Sequence, residues 1–128
     1  MKSFVKLAST IMLTVYAALA FSAEIPFDQV QFASMRAAGK PVAVVFHAGW
    51  CPTCRAQAPI LKELLQSQEL SQITLFVADF DTETALKRSL RIVQQSTIVV
   101  FKDGKEVTRS TGDTQHDSLA ALLHHAIS

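Results

Sequence analysis

Cysteine is scarce in this chain of 128 residues, which contains only two. Without a second cysteine pair, a zinc site built from four cysteines is excluded. Net charge is also small, because after the first 23 residues ten Lys and Arg stand against eleven Asp and Glu. A chain this close to neutral is not expected to bind nucleic acid. No linker, repeat or low-complexity tract divides the sequence.

Long apolar runs are also few, and the longest extends from Leu7 to Phe21 after two lysines. This pattern predicts a secretory signal peptide in residues 1–23, cleaved after Ala20 or Ala23. An uncleaved membrane anchor is the alternative, but the run is shorter than the roughly 20 residues that a spanning helix needs. We therefore expect an exported, periplasmic-type protein whose single domain occupies residues 24–128.

Both cysteines lie in the motif Trp50-Cys51-Pro52-Thr53-Cys54, directly after an apolar run typical of a buried strand. Pro52 suits the first turn of a helix, which places Cys51 at the helix N-terminus. The helix dipole and unpaired N–H groups there favour a thiolate, so the pKa of Cys51 should fall below the free value of about 8.5. We predict that Cys51 is the nucleophile and that Cys54, one turn further on, resolves the mixed disulfide.

The cysteine pair allows three other interpretations. A structural disulfide would close a loop of only a few residues and stabilise the fold very little. Half of a zinc site would need two more ligands from four histidines that are poorly placed to supply them: His47, His116, His124 and His125. Two inert buried thiols fit poorly with an exported chain. We expect no bound metal and no cofactor.

The rest of the chain alternates helical and strand patterns. A first helix is expected over residues 27–38, with Asp28 near its start. Further helices are expected over residues 51–68, after a cap at Thr82, and around Leu119 to Ile127. Strands are expected over residues 41–47, 73–79, 97–102 and 106–111, the last two joined by a turn at Asp103-Gly104. This order predicts an α/β fold, in which parallel strands and a C-terminal antiparallel hairpin form one mixed sheet with helices on both faces.

In these features the chain resembles the thioredoxin-fold family over nearly its whole length after the leader. The resemblance rests on Trp50-Cys51-x-x-Cys54, Pro59 in the following helix, Phe101-Lys102-Asp103-Gly104 at the hairpin, and Gly112 before the last helix. It implies thiol–disulfide exchange with protein thiols and disulfides. We also expect a monomer. The resemblance also implies residues that shape the site or bind substrate, for which we consider Trp50, Pro52, Thr53, Ser96, Thr97 and His47.

One departure from the family is at Ser96, where thioredoxins have a cis-proline that faces the active cysteines and helps hold the substrate chain. A cis peptide without proline costs about 2.5–4 kcal/mol, so we expect the Gln95–Ser96 bond to be trans. The loop shape is then expected to differ. The Ser96 hydroxyl is expected close to the cysteine sulfurs.

A second departure is Val45, which stands where thioredoxins have a buried acid that assists proton transfer to the resolving thiol. A hydrophobe cannot act as a base. His47 is the nearest titratable candidate in the sequence, with a solvent-facing histidine at a strand end as the alternative. A charged His47 would lower the pKa of Cys51 and make the site more oxidising.

Two features of the sequence give opposite indications of the redox direction. Pro52-Thr53 replaces the Gly-Pro of ordinary thioredoxins and suggests a less reducing potential. A small domain with no large inserted substrate-binding region favours a reductase or an electron carrier supplied by a membrane thiol-relay reductase.

The alternative function is a non-catalytic module that binds a metal or an iron–sulfur cluster through Cys51 and Cys54, between two protomers.

Overall fold

The structure, a computed structural model, describes residues 24–128. The predicted signal peptide and its cleavage site lie outside the described residues. The described part of the chain contains, in order, β1 (Glu24–Pro26), α1 (Gln29–Ala37), β2 (Val42–His47), α2 (Pro52–Gln66), β3 (Thr74–Asp79), α3 (Thr84–Leu90), β4 (Thr97–Lys102), β5 (Lys105–Thr111) and α4 (His116–His124).

These strands form one sheet in the order β1-β3-β2-β4-β5. β1, β3 and β2 run parallel, while β4 runs antiparallel to β2 and β5 antiparallel to β4. The predicted mixed sheet with a C-terminal hairpin is therefore confirmed. The short edge strand β1 was not predicted, because three residues are too few to show a period of two.

Two apolar cores lie on opposite faces of the sheet, and β2 contributes to both. Val42, Val44 and Phe46 pack with residues of α1 and α3, whereas Ala43 and Val45 pack with residues of α2 and α4. Helices therefore cover both faces, as predicted. This double burial is the physical reason that β2 reads as an unbroken apolar run rather than an alternating one.

Helix starts agree only partly with the sequence. Asp28 caps α1 as expected, its side chain accepting the Gln31 N–H at 2.8 Å. The predicted cap of α3 at Thr82 is wrong, because the residue that precedes the helix is Glu83 and makes no side-chain cap bond. The reason is the turn after β3, in which the Asp79 carbonyl accepts the Glu83 N–H and carries the chain past Thr82 before the helix begins.

The β4–β5 turn is held by α1. Asp103 and Gly104 both have positive φ, at 52° and 79°, as a tight two-residue turn requires. The guanidinium of Arg36 lies over the Phe101 ring, with Cζ 4.4 Å from the ring centroid, and Nη2 donates to the Gly104 carbonyl at 2.9 Å. The hairpin is therefore tied to α1 as well as to the sheet.

Between residues 24 and 128, no helix is both long enough and apolar enough to cross a bilayer.

Gly104→Ala is expected to lower the free energy of unfolding by about 1–3 kcal/mol. A Cβ at this position would stand 2.9 Å from the carbonyl oxygen of Arg36, in a backbone conformation that disfavours side chains. Gly49→Ala is the matched control, since its Cβ would meet nothing within 4 Å. Urea unfolding of both variants measures the difference, and equal stabilities would contradict the predicted clash.

Candidate active site

The cysteine pair lies where β2 passes into α2. β2 ends at His47, and the Cys51 N–H donates to the Ala48 carbonyl at 3.1 Å, closing the turn between them. Cys51 is the N-cap residue, with extended backbone angles, and Pro52 is the first residue of the helix. The predicted helix start was thus one residue early. Proline fits this position because the first-turn N–H has no partner in the helix.

Cys51 is surrounded by hydrogen-bond donors that favour its thiolate. The Cys54 side chain has the largest effect on its pKa, and the Cys54 backbone N–H donates to Cys51 Sγ at 3.3 Å. Smaller contributions come from the Ser96 hydroxyl and the Thr53 backbone, while burial acts in the opposite direction. Together they lower the pKa of Cys51 to about 7. A large share of Cys51 is therefore thiolate at neutral pH.

Both cysteines are buried, with 3% of Cys51 and 1% of Cys54 exposed, but only Cys51 lines the cavity described below. Burial raises the pKa of Cys54, and the neighbouring Cys51 raises it further. Both cysteines are free in the structure, so the site is in its dithiol form. The two sulfurs of one motif thus have pKa values displaced in opposite directions.

Ser96 brings a hydroxyl to both sulfurs. Its Oγ lies 2.8 Å from Cys54 Sγ and 3.6 Å from Cys51 Sγ. The residue has a φ of +60°, and its N–H donates to the Phe46 carbonyl at 2.8 Å. None of the described peptide bonds is cis, so the Gln95–Ser96 bond is trans as predicted.

A cavity of about 220 Å³ opens beside Cys51. Apart from Cys51 its lining is uncharged and mostly polar, and consists of Thr53, Gln94, Gln95, Ser96, Thr111 and Gly112. Thr97 supports this lining from behind, because its hydroxyl donates to the Gln94 carbonyl at 2.8 Å and pairs with the Thr111 hydroxyl at 2.9 Å. The cavity wall beside Cys51 is therefore formed mainly by residues with amide or hydroxyl side chains.

Trp50 and His47 differ in how exposed they are and in the contacts they make. The Trp50 indole N–H donates to Asp81 Oδ2 at 2.8 Å, and 59% of the residue is exposed, so its ring is available to a partner. His47 is half-buried at the end of β2. Among residues 24–128, no hydrogen bond joins its imidazole to either sulfur, and His47 does not line the cavity.

Gln57 was missed by sequence reasoning. It is buried on α2, and its side-chain amide donates to the carbonyls of Ser96 and Asp113. The signal that would have found it is spacing, because Gln57 follows Cys54 by three residues and precedes Leu61 by four, on the apolar face of the helix. A polar residue at such a position needs a buried partner.

A metal site built within a single protomer is not supported by residues 24–128. No group of three or more His, Cys, Asp or Glu there is arranged to hold a metal ion. The two thiols instead have the unequal protection that disulfide exchange requires, one at a cavity and one behind it.

A helix capped by the first cysteine of a Cys-x-x-Cys motif, on a mixed sheet covered on both faces, defines a thiol–disulfide oxidoreductase of thioredoxin fold. The family model described as Thioredoxin matches residues 24–125. Thioredoxin from Chlamydia trachomatis serovar D is 36% identical over 96 residues, covering 75% of this chain and 91% of that protein. The chain belongs to the thioredoxin family, whose members act on protein thiols and disulfides.

Two further comparisons agree with this assignment. The crystal structure of Trxlp from Edwardsiella tarda matches with a TM-score of 0.76 and 34% identity, over 78% of this chain and 97% of that one. A bifunctional thioredoxin reductase/thioredoxin from Mycobacterium leprae is 36% identical over 85 residues. These are 66% of this chain but only 18% of that protein. The fold expected from the sequence is confirmed.

Alkylation of Cys51 by iodoacetamide in the reduced protein should accelerate with pH and reach half its maximum near pH 7. The thiolate is the reacting form, so at pH 6 the rate should be about a tenth of its plateau. Cys54→Ala removes the side-chain donor with the largest effect and should move the midpoint upward, whereas Cys54→Ser keeps a hydroxyl and should move it less. A wild-type midpoint near the free-thiol value of about 8.5 would contradict this geometry.

Ser96→Pro, which restores the family's residue, should destabilise this protein by more than about 1 kcal/mol. Proline cannot adopt the φ of +60° and has no N–H to donate to the Phe46 carbonyl. Ser96→Ala is the control, because it keeps the N–H and the same backbone conformation. Denaturant unfolding of both variants is the measurement, and a proline variant as stable as the alanine variant would show that the loop re-forms without cost.

Proposed function

We propose that this protein is an exported reductase of protein disulfides in which Cys51 attacks and Cys54 resolves. The observation that carries the proposal is the contrast between the two thiols. Cys51 borders the cavity with a lowered pKa, and Cys54 lies behind it with a raised one. The first is therefore a thiolate when substrate arrives, and the second stays protonated until it is needed.

The exchange proceeds in two balanced steps. Cys51 thiolate attacks one sulfur of the substrate disulfide, forming a mixed disulfide and releasing a substrate thiolate that takes up a proton. Cys54 then loses its proton and attacks Cys51 Sγ, which breaks the mixed disulfide and releases the second substrate thiolate. The substrate gains two electrons, and Cys51 and Cys54 are oxidised to a disulfide.

Val45 bears on the second step, because it lies in the apolar core between the sheet, α2 and α4 and offers no base. His47 makes no described contact with either sulfur, so the structure gives no support to a role for it as the base. The proton of Cys54 is instead proposed to leave through water or the departing thiolate, with the Ser96 hydroxyl 2.8 Å away.

We propose that exchange runs in the reductive direction because of the architecture of the domain. The chain from β1 to α4 contains no large inserted substrate-binding region, which favours a reductase or an electron carrier. We propose the cavity and the exposed Trp50 as the recognition surface. Each cycle leaves the protein oxidised, so a donor of two electrons is required. For a protein exported by the leader predicted in residues 1–23, we propose a membrane thiol-relay reductase as that donor and a monomer as the working form.

The reduction potential of the Cys51–Cys54 pair tests the direction. The protein without residues 1–23 is equilibrated with glutathione buffers, and free thiols are counted. A value near the roughly −270 mV of thioredoxin supports a reductase, and a value toward roughly −120 mV would make it a disulfide donor instead.

Insulin reduction tests the roles of the two thiols. Cys51→Ser should abolish turnover, whereas Cys54→Ser should accumulate a mixed disulfide at Cys51 because nothing resolves it. A Cys54→Ser variant that turns over like the wild type would overturn the assignment. Accumulation of the reduced form in the periplasm, lost when the leader is deleted, tests the proposed export.

A further inference from the structure

Gln57 is a buried polar residue in a helix whose other buried side chains are apolar. Only 1% of its surface is exposed, and its neighbours on the same face of α2 are Cys54 and Leu61. Burying an amide costs free energy unless it is hydrogen-bonded. An apolar side chain would fill the same space without needing hydrogen-bond partners. Packing alone therefore does not account for the amide group.

The amide of Gln57 joins α2 to two loops. Nε2 donates to the Ser96 carbonyl at 3.3 Å and to the Asp113 carbonyl at 2.9 Å. The Ser96 carbonyl also accepts the Gly112 N–H at 3.1 Å. One side chain therefore connects the helix of the cysteines with the loop before β4 and the loop after β5, which both border the cavity.

These bonds hold Ser96 in a conformation that a serine does not favour. Its φ is +60°, a region that costs non-glycine residues free energy and persists only when the surroundings impose it. The Phe46 carbonyl holds the Ser96 N–H, and Gln57 with Gly112 holds the Ser96 carbonyl. Restraint on both sides of one residue fixes the direction of its Cα–Cβ bond, from which the hydroxyl reaches the two sulfurs.

We propose that Gln57 is a positioning residue for disulfide exchange, which holds the Ser96 hydroxyl against the sulfurs so that it can donate to Cys54 as that thiol loses its proton. This extends the proposed function and rests on it. Gln57 touches neither sulfur in any described hydrogen bond and acts through Ser96, whose Oγ lies 2.8 Å from Cys54 Sγ. The arrangement supplies a donor to the resolving thiolate in a site where Val45 supplies no base.

The test separates this role from simple packing by titrating each thiol. Gln57→Met has a similar length but no donor, and Leu61→Ala on the same face of α2 is the control for lost stability. Cysteine ¹³Cβ chemical shifts of the reduced protein, followed against pH, report Cys51 and Cys54 separately. Gln57→Met should decrease the Cys54 thiolate fraction at a given pH about threefold to tenfold, as expected for one hydrogen bond lost. Leu61→Ala should leave it unchanged.

The Ser96→Ala background decides whether Gln57 acts through Ser96. There, Gln57→Met should produce no further change in the Cys54 titration, because the hydroxyl that it positions is absent. An equal shift in both backgrounds, or no shift in either, would overturn the proposal. Gln57→Leu is a second variant should the methionine variant fold poorly, and far-UV circular dichroism checks both.

A negative result for the role of Gln57 can be distinguished from a negative result for the proposed reductase. The titrations need no substrate, so they stand even where the wild type fails to reduce insulin. Conversely, a wild type that reduces insulin while Gln57→Met titrates normally would retain the reductase and remove the role of Gln57. The rate of mixed-disulfide resolution in Gln57→Met should decrease in parallel with the thiolate fraction of Cys54.

Discussion

The hydrogen bonds donated to Cys51 at the start of α2 are the interaction on which the site depends. They require a helix that begins at Pro52 and a strand, β2, that delivers the chain to that point. Both are held by burial on the two faces of the sheet. Because Cys51 accepts these bonds only while Cys54 occupies the next turn, the reactivity of one thiol and the protection of the other come from the same piece of backbone.

Ser96 shows how the loop facing the cysteines is held without the proline that the family normally has there. The peptide bond is trans, and the strain at φ +60° is offset by backbone bonds to Phe46 and Gly112 and by the amide of Gln57. The residue that replaces the proline brings a hydroxyl to 2.8 Å from Cys54 Sγ. The substitution therefore changes the chemistry next to the resolving thiol as well as the shape of the loop.

Much of the fold could be predicted from local patterns. The apolar run of β2, the Asp103-Gly104 turn and the cap at Asp28 each act over a few residues, and each was found where the sequence indicated. Prediction failed at β1, where the deciding contact is remote, and at the start of α3, where a local turn takes precedence over the expected cap. β1 forms because β3 offers an edge to pair with, and α3 starts after Glu83 because the turn that follows β3 extends further than the pattern at Thr82 suggests.

The candidate site divides in the same way. The sequence by itself determined the Cys-x-x-Cys motif, its place at a helix start and the absence of an acid at Val45, because these depend on residue type and near neighbours. The resemblance predicted Ser96 near the sulfurs, but only the tertiary structure decided its distance to each of them, that His47 does not hydrogen-bond to either, and that Gln57 joins the surrounding loops. Those contacts join residues about 40 positions apart, and their geometry is set by how the sheet and α2 pack rather than by any local preference.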